Sequence, residues 1–377
     1  MKNSKKRLTG IFCACVLIMG MALAGCSDNG NGGTTGNQSD VSNVSSGGGI
    51  WDGVSYSIDM QAHQSSTEQL TSSYDHMIQL VNDVTGGAIK ITAYESNSLY
   101  STADCLTAVG NGELIMAEAA EGSWSDDIPA SLFAAGLPFV YSSNEQAYMF
   151  MVNRGFVDIL NEAYAEYNIH VIPYECYTAS IISKSPITSV STMKGTKLRA
   201  SGSMALYEAL VGAAVTTVSG GELYSALSTG IVDGATWGSA QAMLQMNLQE
   251  VTSYYMDPDP VFGQWNCIYV NLDWWNALTF DQQNILESAI QVAGYNRTVA
   301  TAANNVTAKE VFTEQYGITI QTLTSDAIAE FSEYGMQLVE QFGQADDYST
   351  RVVDALKSFL AEYEGGNMVY NNQISLN

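Results

Sequence analysis

The stretch "KGTKLRASGSMALYEALVG" covers residues 194–212, and the fold is decided by how it is read. A Lys-Gly turn leads into a short apolar strand that ends on Arg199, small residues follow, and a helix opens at "SMALYEALVG" (203–212). The order repeats downstream. "AAVTTVS" (213–219) reads as a strand, "GELYSALSTG" (221–230) as a helix and "IVDGATW" (231–237) as a strand that ends on Trp237. Upstream, "WDGVSYSIDMQA" (51–62), "AIKITAY" (88–94) and "ELIMAEA" (113–119) are strands separated by helices. Such alternation is the mark of layered α/β architecture with parallel strands. Helical stretches that include residues 142–167 and a further strand, "HVIPYECY" (170–177), separate the two runs. The expectation is two α/β lobes rather than one long sheet.

Capping signals sharpen the helices. Ser65 with Glu68, and Thr279 with Gln282, fit capping boxes, whose side chains satisfy free backbone donors. Gly86 and Gly87 stop the first helix. From Thr279 one proline-free pattern runs to about Tyr316, with Gly294 as a point where it can bend. At 1.5 Å per residue it is roughly 50 Å long, more than one small domain is wide. It is expected to span both lobes. The lobes are expected at 50–175 plus about 265–305, and at 176–264 plus about 306–365.

The N-terminal 49 residues read differently. Lys2, Lys5, Lys6 and Arg7 precede an apolar run that closes on "LAGC", the pattern of a secretory signal (1–26). The closing four residues resemble a bacterial lipobox, which implies acylation of Cys26 and membrane attachment through that lipid alone. Residues 27–49 are rich in Gly, Ser and Asn and nearly free of apolar side chains, the composition of a flexible linker. The formal net charge of −25 lacks any basic footprint and excludes nucleic acid as a partner. Cys105, Cys176 and Cys267 remain after the signal and Cys26, far apart and without metal spacing; one disulfide or buried thiols both fit. His63, His76 and His170 are isolated.

Catalytic patterns are missing. There is no phosphate-cradling glycine loop, and "SGSMA" lacks the flanking glycines of a nucleophile elbow. The reading is therefore a binding protein, with no catalytic residue, metal site or cofactor. Arg199 is the candidate anchor. Ligands of open α/β sheets sit at the carboxyl ends of strands. A guanidinium matches a carboxylate with two parallel hydrogen bonds. On spacing alone, Arg199 either pairs with an internal acid or awaits a ligand.

The string from Ser191 to Trp237 resembles the core signature of the solute-binding subunits of tripartite ATP-independent periplasmic (TRAP) transporters. "VNDVTGGAIKITAYESNSL", "TAVGNGELIMAEAA", "IPASLFAAGLPFVY" and "IYVNLDWWNALTFDQQNILESA" resemble further family motifs, so the likeness covers about residues 55–340. It implies a two-lobe periplasmic-binding-protein-like (type II) fold with a hinge and a lobe-spanning helix. It also implies a cleft for a small organic carboxylate, held by Arg199 and delivered to the transporter's membrane subunits. The match is nearest the branch that binds 2-oxo and 2-hydroxy monocarboxylates. In that branch a Glu before the tryptophan and a Gln on the preceding strand help hold a metal ion. Thr236 and Thr178 stand at those places here, so no metal site is expected. Trp237 is expected to wall the cleft, Thr178 and Thr236 to hydrogen-bond the ligand, and Gln64 and Trp124 to face it. Tyr254 and Tyr255 are expected at the hinge or in the core, and Glu222 and Asn271 in structural roles. The solute-binding subunit of an ATP-driven importer and a sensor module share the two-lobe plan; the arginine signature and the long helix favour the TRAP type.

Overall fold

Two long antiparallel strands join the halves of the molecule. The computed structural model describes residues 49–63 and 67–364, without the side chains of 67–73 and 364. The expected signal, Cys26, the expected linker up to residue 48, Gln64 and the Ser65 capping box lie outside the described residues.

The first lobe is built from β1 (Tyr56–Gln61), α1 (Thr67–Val84), β2 (Ile89–Tyr94), α2 (Thr102–Gly110) and β3 (Met116–Ala120). The chain then passes through α3 (Asn144–Asn153) and α4 (Phe156–Ala165) into β4 (Ile169–Ser183). The second lobe holds α5 (Val190–Met193), β5 (Lys197–Arg199), α6 (Gly202–Val211), β6 (Ala214–Thr216) and α7 (Gly220–Thr229). It continues with β7 (Gly234–Trp237), α8 (Ala240–Gln245) and β8 (Tyr254–Asp257). The chain returns along β9 (Val261–Asn271) to α9 (Leu272–Ala277) and α10 (Phe280–Tyr316), and ends with β10 (Thr319–Thr322), α11 (Ser325–Phe342) and α12 (Asp347–Glu364).

The strand order is β2-β1-β3-β9-β4-β7-β5-β6, with β8 pairing β4 and β10. β1, β2 and β3 are parallel to one another, as are β5, β6 and β7. β4 runs antiparallel to β9 in the first lobe and to β7 and β8 in the second. The expected boundary at residues 175 and 176 therefore falls inside a continuous strand. Alternation sorts the β9 side chains: Ile268 and Val270 enter the core beneath α1 and α10, and Cys267 and Tyr269 enter the core on the opposite face. Cys105, Cys176 and Cys267 are buried free thiols.

The long helix is one helix. Thr279 caps it with the expected box to Gln282, and 37 residues run without a break. Gly294 lets it lie on β4: a Cβ there would stand 1.8 Å from the Tyr174 carbonyl oxygen. Ala289, Ile290 and Ala293 join the first-lobe core, and Ala308 and Phe312 join the second. α12, expected in the second lobe, packs on α4 and α11. Arg351 forms a fork of two bonds to Glu162, and Phe359 meets Phe150 at a tilt.

Candidate functional site

A cleft of about 890 Å³ lies between the lobes. Glu121, Gly122, Ser125, Glu175, Tyr177, Gln264 and Asn266 line it from the first lobe and the crossing strands. Arg199, the Ser201–Met204 turn, Thr236 and Trp237 line it from the second, and Asn296, Arg297 and Thr301 from α10.

Arg199 ends β5 and is buried. Two strands flank β5, so its last side chain emerges among carbonyl oxygens. Nε donates to the Val218 oxygen and Nη1 to the Thr236 oxygen, each at 3.1 Å. The guanidinium lies 4.6 Å from the Trp237 ring centroid, within cation–π range. Gly220 at the start of α7 makes room for that ring; a Cβ there would sit 2.7 Å from Cη2. Among the described residues no carboxylate comes within 4.0 Å of Arg199 in an ion pair. Burial pulls its pKa below the ordinary value, opposed by the charge of Glu208.

Glu208 was not anticipated. It belongs to the buried stripe of α6 with Met204, Tyr207 and Val211. The Thr236 hydroxyl donates to Oε1 through a short contact, and Oε2 has no partner among the described residues. Burial pushes its pKa up to about 8, against the pull of Thr236 and Arg199. An acid at a position of α6 that periodicity assigns to the core was the signal in the sequence.

Arg297 is a second unanticipated cation. Its Nε donates to Glu175 Oε2 at 2.7 Å, and Thr301 donates to Oε1 at 3.1 Å. Its pKa is raised: burial lowers it, but Glu175 more than offsets this. Glu121 accepts from the hydroxyls of Tyr164 and Tyr269, and burial lifts its pKa to about 7.

The remaining expected residues separate. Trp237 lines the cleft. Thr236 lines it too, but gives its hydroxyl to Glu208 and its carbonyl to Arg199. Thr178 does not reach the cleft. It lines a smaller pocket behind β4 and α10 and accepts from Asn305 Nδ2, while Tyr177 and Ala179 on either side face the cleft. A one-residue slip on a strand exchanges its faces. Trp124 does not face the cleft either. It is core, donating to the Thr102 oxygen at 2.8 Å and meeting Tyr269 edge-on. Tyr255 is fully buried in the second-lobe core. Glu222 closes a capping box with Ser219, and Asn271 caps α9.

Two α/β lobes joined by crossing strands around a polar cleft define a solute-binding protein. The chain belongs to the bacterial extracellular solute-binding proteins, family 7 (DctP), whose model matches residues 60–346. Members of this family bind solutes outside the cytoplasm and are not enzymes. A monocarboxylate 2-oxoacid-binding periplasmic protein of Nostoc sp. is 28% identical over 216 residues, 55% of this chain and 58% of that protein. An uncharacterized protein of Sinorhizobium fredii is 29% identical over 163 residues, 41% of this chain and 29% of that protein. The chain thus spans under two thirds of the length of these curated relatives. A TRAP periplasmic solute-binding protein from Rhodobacter sphaeroides in an open, unliganded form superposes with a TM-score of 0.73 at 18% identity, covering 82% of this chain and 99% of that one. One from Pseudoalteromonas atlantica with bound sodium and pyruvate gives 0.71 at 20%, covering 83% and 96%.

The carboxylates that line the cleft are engaged within the protein. A hard cation takes several oxygens, carboxylates first. Of the carboxylates that line the cleft, Glu175 is engaged by Arg297 and Thr301, and Glu121 by two tyrosines. Glu208 lies beneath Thr236, outside the lining. Among the described residues no three His, Cys, Asp or Glu side chains converge.

Proposed function

We propose that this protein is the extracytoplasmic receptor of a TRAP-type transporter for a small organic carboxylate. One observation carries the reading: the buried Arg199 guanidinium, which lines the interlobe cleft and is held by carbonyls and a ring, has no carboxylate paired with it among the described residues. A buried cation that is not neutralised by the protein is stabilised by an anion from outside. The guanidinium fork takes the carboxylate from the second lobe, over the wall made by Trp237. Tyr177, Asn266 and Gln264 supply hydroxyl and amide groups from the crossing strands. A ligand that touches both walls stabilises the closed arrangement over the open one, and that difference is the whole of the function. β4, β9 and α10, which cross between the lobes, carry the hinge. The matched relative that binds 2-oxoacids and the neighbour holding pyruvate support a 2-oxo monocarboxylate as the first candidate.

The closed, loaded form would dock on the transporter's membrane subunits. Cys26 after the signal would tether the receptor by lipid, with residues 27–49 as spacer. Metabolic labelling with a fatty-acid analogue tests this: label lost in Cys26→Ser supports the tether, and an unlabelled wild-type protein removes it.

The first test is a thermal-shift screen of the protein from residue 50 onward against 2-oxo, 2-hydroxy, aromatic and dicarboxylic acids. A ligand at a hundred times its Kd stabilises by about 2.7 kcal/mol. One class should shift the wild type and leave Arg199→Ala unmoved. Acids without effect, with sugars shifting both proteins alike, would overturn the reading.

A further inference from the structure

Beneath the clamp lies an acid that the binding reaction described above does not use. Glu208 is fully buried, one oxygen is held by the Thr236 hydroxyl, and the other has no partner among the described residues. Thr236 also accepts Arg199 Nη1 on its carbonyl, so a single residue connects the guanidinium to the carboxyl. The two groups sense one another but form no ion pair within 4.0 Å among the described residues. Among the described residues, the charge that acts on Glu208 is that of Arg199. α5 and β6 bring no titratable side chain against α6, and on α6 itself Tyr207 gives its hydroxyl to the Phe331 oxygen of α11. Asp326, Glu330, Glu333 and Glu340 of α11 are exposed to solvent. Tyr334 of α11 acts on Tyr207.

We propose that Glu208 is the protonatable counter-group of the ligand clamp, and that capture of a carboxylate is thereby linked to a proton. This rests on the carboxylate reading of the Arg199 site. When neutral, Glu208 leaves the guanidinium charge to the incoming anion. When ionised, it neutralises Arg199 from behind and repels the ligand from the same side. Its unpartnered oxygen is where the proton resides. Thr236 fixes the carboxyl at a distance that permits competition but not a closed ion pair. Glu208 is thus a positioning residue: it acts on the ligand only through the charge balance at Arg199. A single carboxylate of raised pKa explains a proton taken up on binding, because the ligand's charge favours the protonated form further.

The test has two parts. Protein labelled with 13C at the glutamate carboxyl is titrated without ligand, the Glu208 signal being identified by its loss in Glu208→Gln. A midpoint well above the ordinary glutamate range is expected, moving further up in Thr236→Val, which removes the donor to Oε1. A midpoint in the ordinary range overturns the proposal without reference to any ligand. Calorimetry with pyruvate is then run between pH 6 and 10 in buffers of different ionisation enthalpy. Wild-type affinity should hold below the midpoint and fall by about tenfold per pH unit above it, with one proton taken up per ligand. Glu208→Gln should bind with no such fall. Parallel curves for the two proteins overturn the linkage. Absence of pyruvate binding at every pH speaks against pyruvate as the carboxylate, while the carboxyl titration still decides the state of Glu208.

Discussion

Two arginines share one cleft and differ in what neutralises them. Arg297 on α10 meets Glu175 at 2.7 Å, and Thr301 completes that carboxylate. Arg199 at the end of β5 meets two carbonyl oxygens and the face of Trp237. The first is a closed pair that ties the long helix to the crossing strand β4. The second keeps its charge for something else. The contrast teaches that a cation in a pocket marks a binding site only when the protein leaves it without a carboxylate of its own.

The largest expected effect falls on ligand capture. Arg199→Ala should weaken carboxylate binding by about 2–5 kcal/mol, the usual cost of truncating one side of a buried charge pair. The fold should persist, because the two lost bonds end on carbonyls. Arg199→Lys should not restore affinity, since an ammonium cannot reproduce the planar fork. Calorimetry on the acid identified by the screen checks both. Equal affinity in wild type and Arg199→Ala would erase the distinction between the two arginines.

Arg297→Ala should act on stability instead. It strands the buried Glu175 and should cost about 1–3 kcal/mol, below the full penalty for a broken buried pair because the arginine is a quarter exposed. The denaturant midpoint should fall. A variant of unchanged stability that has lost its ligand would exchange the roles assigned to the two residues.

A third effect is read in pH. The folded-state pKa of Glu208, about 8, lies above the value of 4.5 for an ordinary glutamate. The native state therefore keeps a proton that the unfolded chain releases, and stability is greatest below the lower value and falls as pH rises between the two. Glu121, raised to about 7, slopes the same way, so the measurement is the difference between wild type and Glu208→Gln. The wild type should lose stability relative to the variant from about pH 4.5 to 8 in urea melts. A difference that is flat with pH would place Glu208 among ordinary carboxylates.

The smallest effect belongs to the ring. Trp237→Leu removes the cation–π contact at a half-buried position and should weaken capture by about 1 kcal/mol. An effect as large as that of Arg199→Ala would mean that the tryptophan, not the guanidinium, carries the ligand.

Much of this architecture was legible from local chemistry. The boxes at Thr279–Gln282 and Ser219–Glu222 set helix starts, because a cap is satisfied by residues three apart and needs no distant partner. Gly212 ends α6 with a φ of +102°, a conformation that side chains resist. Arg199 was visible because a scarce cation closed an apolar strand. The site's other members were not. Thr178 and Tyr177 are neighbours, and β4 carries register irregularities between Pro173 and Glu175 and between Tyr177 and Ala179, which no alternation count foresees. Trp124 closes a core that exists only once Tyr164 and Tyr269 arrive from remote elements. Arg297 sits mid-helix, and its direction depends on how α10 crosses β4.

By itself the sequence determined the repeating strand–helix units, the single long helix, the family signature and the one arginine at a strand end. These rest on short-range rules: backbone donors that must be capped, periods of two and 3.6, and turns that need glycine. Tertiary structure decided which cations are neutralised. It brought Glu175 to Arg297 across more than a hundred residues and set Glu208 behind Arg199 with Thr236 between them. Charge balance in a buried site depends on distance and desolvation, and both are properties of the packed chain.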